Sequence, residues 1–173
     1  MILLRKAKED DLEIIERLAI EIWPQAYGSY ISGAQLDYML KLMYNKGELL
    51  GQLQGGHTFL IAEDEGKDVG FAGFSIIDTA NQTYKLHKLY VLPEMHGKGV
   101  GKILMNEVVN LAARNGGSAL QLNVNRKNKA KDFYEKAGFN IKETVDIEIG
   151  QGFFMNDYVM ELALIKEGNG NRE

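Results

Sequence analysis

The residues best suited to chemistry form a short glycine-rich loop. The segment MHGKGVGK, residues 95–102, follows a strand-like run and precedes a helix-like run. Free backbone N–H groups converge at the start of a helix, and the helix dipole adds partial positive charge there, so such a turn binds anions. The loop is therefore a candidate phosphate site. The alternative is that its glycines only make a tight turn.

Two familiar phosphate motifs can be tested on this loop by spacing. A P-loop requires glycine where His96 stands and a hydroxyl residue where Ile103 stands. A dinucleotide fingerprint requires a third glycine, but its two reading frames end at Lys102 and Leu104. Both motifs are excluded, so a phosphate bound by this loop would be held in another way.

Composition narrows the class of protein. A chain of 173 residues that is 45% hydrophobic and 25% charged fits one folded domain. The absence of cysteine excludes a thiol enzyme and a cysteine-ligated zinc site. A net charge of −4 indicates no nucleic-acid partner, and the apolar runs fall far short of the roughly 20 residues that cross a bilayer. We expect no membrane partner and a cytoplasmic location.

Apolar periodicity and glycine and proline positions predict the elements that position the loop. The order is β-α-α-β-β-β-α-β-α-β-β, with a first helix that ends at Pro24 and a second from Ser32 to Tyr44. A later helix runs from about Gly99 to Asn115. This order implies a mixed α/β sheet with helices on its faces. We expect one domain over residues 1–165 and a polar tail over residues 166–173.

The loop and its flanks resemble the GNAT superfamily of acyl-CoA-dependent N-acetyltransferases. The resemblance rests on HGKGVG, on the preceding LHKLYVLPEM and on the later FYEKAGF. Gly99 and Gly101 match the glycines of that family's pyrophosphate loop, and His96 departs from its first position, which is Gln or Arg. The resemblance covers most of the chain and implies a single-domain fold with a central mixed sheet of about seven strands and helices on both faces.

The resemblance also implies acetyl-CoA as co-substrate, with no metal. Backbone groups of Leu89 and Val91, on either side of Tyr90, would pair with the pantetheine arm. The pyrophosphate would meet the loop residues His96, Gly97, Lys98, Gly99, Val100, Gly101 and Lys102. Asn128, and second Asn125, would contact the pantetheine, although a plain helix cap explains Asn128 equally well.

Acetyl transfer to an amine requires a base for the ammonium and an acid for the departing thiolate. His87 lies where similar enzymes often carry a glutamate base, and a neutral imidazole can accept a proton at physiological pH. The alternative is a strand histidine that only bonds its neighbours. Tyr134 matches the family tyrosine that points at the coenzyme A sulfur, and the alternative is a core aromatic like Phe133. His57 is expected to be exposed.

The acceptor pocket is expected to come from the first two helices and the last hairpin. Aromatic side chains with scattered acids suit an amine with an apolar stem, and for each aromatic the alternative is simple core packing. The candidates are Trp23, Tyr27, Tyr30 and Tyr38 in the first region, and Asn156, Asp157 and Tyr158 in the second.

The sequence thus predicts an enzyme that moves an acetyl group from acetyl-CoA to a primary amine by direct attack in a ternary complex. A polyamine or another small amine is the first candidate acceptor, and the match to polyamine acetyltransferases is looser than the match to the superfamily. The alternatives are a protein N-terminus or lysine as acceptor, and a non-catalytic acyl-CoA sensor. Because the family often forms dimers, a homodimer is an open alternative to a monomer.

Overall fold

The computed structural model describes residues 1–165, so the predicted polar tail lies outside the described residues. The helices are α1 Leu12–Tyr27, α2 Gly33–Tyr44, α3 Lys46–Gln54, α4 Val100–Arg114 and α5 Ala130–Lys136. The strands are β1 Ile2–Lys6, β2 Thr58–Asp64, β3 Lys67–Asp78, β4 Thr83–Val91, β5 Ala119–Asn125, β6 Asn140–Gly150 and β7 Phe153–Ala163. Within this part of the chain, no helix is both long and apolar enough to cross a membrane.

The strands form one mixed sheet in the order β1-β2-β3-β4-β5-β7-β6. Strands β4 and β5 pair in parallel, residues 83–86 with residues 119–122. A parallel pair needs a long crossover connection, which here contains α4. The pairs β1–β2, β2–β3, β5–β7 and β6–β7 are antiparallel. The predicted mixed α/β fold with seven strands is confirmed.

Helix α1 continues beyond its predicted end. Leu12, Ile15 and Leu18 are buried, as their helical spacing predicts. The prediction that Pro24 ends the helix is wrong, because α1 continues to Tyr27. A proline near the end of a helix removes one donor and leaves the last turn available, and the amide of Gly28 donates to the Pro24 carbonyl at 2.9 Å.

Helix α3 is absent from the predicted order. Its pattern is weak, since Leu49 is its one buried residue and Gly47 and Gly51 lower helix propensity. What starts it is a side-chain cap, in which Asn45 Oδ1 accepts from the Glu48 amide at 2.8 Å. The signal available in the sequence was therefore an asparagine three residues before a glutamate.

Contacts within the chain group the described residues into two compact units. The first contains Met1–Ser75 and His87–Met105, and the second contains Ile76–Leu86 and residues 106–165. The core of the first unit includes Ile15, Leu18, Phe59, Ile61, Phe71 and Leu104. The core of the second includes Val108, Leu120, Leu122, Val124, Phe139 and Met160.

Candidate active site

The glycine loop of the first unit has the geometry of an anion site. Gly97 and Gly99 adopt φ values of +82° and +80°, a left-handed region that glycine adopts without strain. A Cβ at either position would meet nothing within 4 Å, so both face open space. The Ile103 amide donates to the Gly99 carbonyl at 3.0 Å. The amides of residues 100–102 precede this bond and have no acceptor within the helix.

The side chains of the loop divide into exposed and buried ones. Lys98 and Lys102 are exposed, whereas Val100 is buried and anchors the first turn of α4. His96 is exposed, and its Nε2 lies 3.1 Å from the Val91 carbonyl oxygen. The imidazole therefore ties the loop to the end of β4.

Strand β4 runs into this loop with its backbone closely packed on β3. At Gly70 a Cβ would lie 2.9 Å from the Tyr90 carbonyl oxygen, so only glycine permits this approach. Leu89, Tyr90 and Val91 are half-buried. The Tyr90 hydroxyl shares a 2.6 Å hydrogen bond with the Tyr27 hydroxyl, so its side chain belongs to the first unit's interior.

His87 is held by two neighbours. Its Nε2 and the Ser75 Oγ are 2.7 Å apart, and its ring stacks on His57 with centroids 4.5 Å apart and planes 19° apart. The expectation that His57 is merely exposed is wrong, because His57 is half-buried and its Nδ1 is fully buried. Burial, and secondly the positive charge of Lys88, lower the pKa of His57, while Glu48 acts in the opposite direction.

Lys88 was not singled out from the sequence, yet it is a buried cation only 7% exposed. Its Nζ donates to the Gln52 Oε1 at 2.9 Å and lies 5.2 Å from the Tyr44 ring centroid and 5.8 Å from that of Phe59. Gln52 in turn donates to Glu48 Oε1 at 3.1 Å. Burial lowers the Lys88 pKa to about 8, with a small opposing effect from Glu48.

The aromatic side chains of the first unit pack together. Trp23 is buried, and its ring lies 4.9 Å from Tyr27, 5.3 Å from Tyr44 and 5.6 Å from Tyr90. Trp23 therefore packs in the core of the first unit, and its contact with the amine substrate stays a prediction. Tyr27 and Tyr30 are half-buried with rings 5.8 Å apart, and Tyr38 is also half-buried. Burial first, and then Tyr90, raise the pKa of Tyr27 well above its ordinary value.

In the second unit, Tyr134 is buried and the neighbouring Phe133 is half-buried. The expected assignment of Phe133 as the core residue of this pair is therefore reversed. The Tyr134 ring lies 5.7 Å from Phe139, edge to face, which fixes its plane. The role of the Tyr134 hydroxyl toward the coenzyme A sulfur stays a prediction.

Asn125 and Asn128 both bond local backbone. Asn125 Oδ1 accepts from the Lys127 amide at 2.9 Å, an Asx turn that follows β5. Asn128 Oδ1 accepts from the amide of Ala130, the first residue of α5, also at 2.9 Å. Asn128 therefore forms an Asx turn directly before α5, whose N-cap residue is Lys129, and its contact with pantetheine stays a prediction.

Asp157 is a buried carboxylate on β7, directly opposite Asn125 on β5. Within residues 1–165 its Oδ2 has no hydrogen-bond partner. Burial raises the Asp157 pKa, and the hydrogen bond from Asn123 and the charges of Lys85 and Arg126 act in the opposite direction. Asn156 is exposed, whereas Asp157 is a buried carboxylate that could bind a cationic group.

Comparisons with known proteins show the family to which this chain belongs. A family profile described as "Acetyltransferase (GNAT) domain" matches residues 55–141. The spermidine N(1)-acetyltransferase of Thermoplasma acidophilum is 30% identical over 82% of this chain and 89% of its own length. An uncharacterized N-acetyltransferase of Mycobacterium tuberculosis is 39% identical over 62% of this chain and 68% of its own length.

The fold comparison gives the same family. The crystal structure of PaiA N-acetyltransferase from Thermoplasma acidophilum in complex with coenzyme A matches with a TM-score of 0.81 and 28% identity, over 94% of this chain and 99% of that one. The Escherichia coli ribosomal-protein-S18-alanine N-acetyltransferase, at 16% identity and a TM-score of 0.73, shares the fold. The chain therefore belongs to the GNAT family and is an acetyl-CoA-dependent N-acetyltransferase.

Proposed function

We propose that this enzyme acetylates a primary amine of a polyamine or a similar small amine. The observation that carries the proposal is the 30% identity to a spermidine N(1)-acetyltransferase over 82% of this chain. A second support is Asp157, whose buried carboxylate suits an ammonium group, since a cation there would supply the partner that its Oδ2 lacks among the described residues.

The loop residues take the pyrophosphate of acetyl-CoA in this proposal. The amides of residues 100–102 have no acceptor within α4, and the open space at Gly97 and Gly99 leaves room for phosphate oxygens. Lys98 and Lys102 add exposed positive charge. Backbone groups of Leu89 and Val91 then hold the pantetheine by strand-like pairing.

His87 acts as the base of the reaction. If Nε2–H donates to Ser75 Oγ, the basic nitrogen is Nδ1, which takes a proton from the substrate ammonium directly or through water. The free amine attacks the thioester carbonyl, the carbon–sulfur bond breaks, and the sulfur leaves with the electron pair. As the amide forms, the nitrogen releases its second proton to water. Tyr134 donates a hydrogen bond or a proton to the departing sulfur and is then reprotonated from water. The new amide bond and free coenzyme A are the products.

The acceptor is tested with acetyl-CoA and a panel of amines, with release of free thiol as the signal. The panel contains putrescine, spermidine, spermine, a lysine-containing peptide and a peptide with an N-terminal alanine. We expect spermidine or spermine to give the highest kcat/KM. Preference for either peptide would replace the small-amine acceptor by a protein, and acetyl-CoA binding without turnover on any amine would identify a sensor.

A further inference from the structure

The stacked pair of His57 and His87 is unusual because both imidazoles are titratable and nearly parallel. Their centroids are 4.5 Å apart, and Ser75 Oγ fixes one of them by its contact with His87 Nε2. The main chain of His57 is held by a hydrogen bond, in which its amide donates to the Gln52 carbonyl at 2.9 Å. Two imidazolium charges at this separation repel strongly, so the second proton binds at lower pH than the first.

The charged and titratable groups around this pair come from three elements. Lys88 on β4 supplies the positive charge that acts on His57, and its Nζ lies over the Phe59 ring, which neighbours His57. Glu48 on α3 supplies the opposing negative charge. Tyr44 on α2 stays neutral, because burial first, and then Tyr90, raise its pKa well above the ordinary value.

We propose that His57 is a positioning residue for His87: the stacked pair takes up a single proton, and the Lys88 ammonium directs that proton to His87. The catalytic consequence of this inference rests on the proposed function. A neutral His57 beneath the ring of His87 offers its π face to the imidazolium that forms when the substrate amine loses its proton. Burial of His57 and the positive charge of Lys88 both disfavour a proton on His57, whereas His87 has the Ser75 hydroxyl oxygen as a hydrogen-bond partner.

The test follows the imidazole Cε1–H resonances by NMR as the pH is lowered. The chain has three histidines, so the variants His87→Phe and His96→Asn assign all three signals. In the wild-type protein we expect His57 to titrate at lower pH than His87. In His87→Phe, which removes the repelling charge and keeps a stacked ring, His57 should titrate at higher pH than in the wild type.

Two further variants change the charges around His57 in opposite directions. Lys88→Met removes the buried cation and should move the His57 titration to higher pH. Glu48→Gln, at an exposed position that tolerates replacement, should move it to lower pH. Lys46→Met is the matched control, because Lys46 is an exposed lysine of the same helix as Glu48 and should leave the His57 curve unchanged. A His57 curve that is the same in His87→Phe and in Glu48→Gln as in the wild type overturns the proposal.

The kinetic arm measures the pH dependence of kcat/KM with acetyl-CoA and spermidine. Because the base must be neutral, the acidic limb should move to higher pH in Lys88→Met and to lower pH in Glu48→Gln. If the NMR titrations shift in these variants but the acidic limb of the kcat/KM profile does not, the histidine pair has no role in catalysis. A wild-type protein that acetylates no amine would refute the proposed function separately, since the NMR titration needs no turnover.

Discussion

Replacing Gly99 by valine should weaken acetyl-CoA binding without unfolding the protein. Gly99 has φ +80°, where an L-residue costs about 1–2 kcal/mol, and a Cβ there meets nothing within 4 Å, so strain is the main folding penalty. A valine relieves this strain by changing φ, which turns the amides of residues 100–102 away from the phosphates. Losing two N–H bonds to a charged group costs about 3 kcal/mol, or roughly 100-fold in Kd.

The chain provides a matched control for this experiment. Gly66, in the turn between β2 and β3, has φ +82° and also faces open space. Gly66→Val should lower the melting temperature by a similar amount, about 2–8 °C for either variant, and leave acetyl-CoA affinity unchanged. Calorimetric titration with acetyl-CoA and thermal unfolding by circular dichroism measure the two quantities. Equal acetyl-CoA affinity in Gly99→Val and Gly66→Val would refute the loop assignment.

Three further predictions address other parts of the site. Tyr134→Phe keeps the buried ring and removes its hydroxyl, so kcat should fall by roughly 100-fold while melting temperature and acetyl-CoA affinity stay the same; turnover within about twofold of wild type would leave Tyr134 a packing residue. Asp157→Asn should raise KM for spermidine, and an unchanged KM would show that Asp157 is not part of the acceptor site. The same variant should be slightly more stable at pH 7, because a carboxyl group with a raised pKa destabilises the folded protein while it is ionised. Lys88→Met should be more stable than wild type at pH 7 by up to about 3 kcal/mol, since the Lys88 pKa falls from 10.5 in the unfolded chain to about 8 and each unit corresponds to about 1.4 kcal/mol. The stability difference between Lys88→Met and wild type should shrink as pH rises from 8 toward 10, because the wild-type protein loses the unfavourable buried charge there. Urea unfolding measures both free energies of unfolding. A difference that stays constant across that range would show that Lys88 does not carry the predicted buried charge.

Residues whose roles depend on local sequence were predictable. The glycines of the loop, the apolar stripe of α1 and the start of α2 depend on neighbours within four residues, so spacing alone identifies them. Ser32, for example, begins the predicted second helix, and its Oγ accepts from the Gln35 amide at 3.1 Å. The order of strands and helices along the chain, apart from α3, was predicted from apolar patterning, and the resemblance implied the mixed seven-stranded sheet.

The surroundings of Lys88 and His57 depend instead on residues distant in sequence. Lys88 reaches Gln52 across 36 positions, and no local pattern distinguishes a buried lysine on a strand from an exposed one. His57 precedes β2 and looks like a loop residue until the stack with His87, 30 residues later in the chain, is seen. Helix α3, which supplies Gln52 and Glu48, is itself the element that the weak apolar pattern concealed.

The most direct test of the central claim is a mass measurement of the products formed from acetyl-CoA and spermidine. The enzyme is incubated with both substrates, and the polyamine and the free coenzyme A are quantified together, with Tyr134→Phe as the slow control. We predict monoacetylated spermidine and coenzyme A in equal amounts, at a rate far above the rate without enzyme. Coenzyme A release without an acetylated polyamine, or no release while acetyl-CoA binds, would contradict the assignment of a small-amine acetyltransferase.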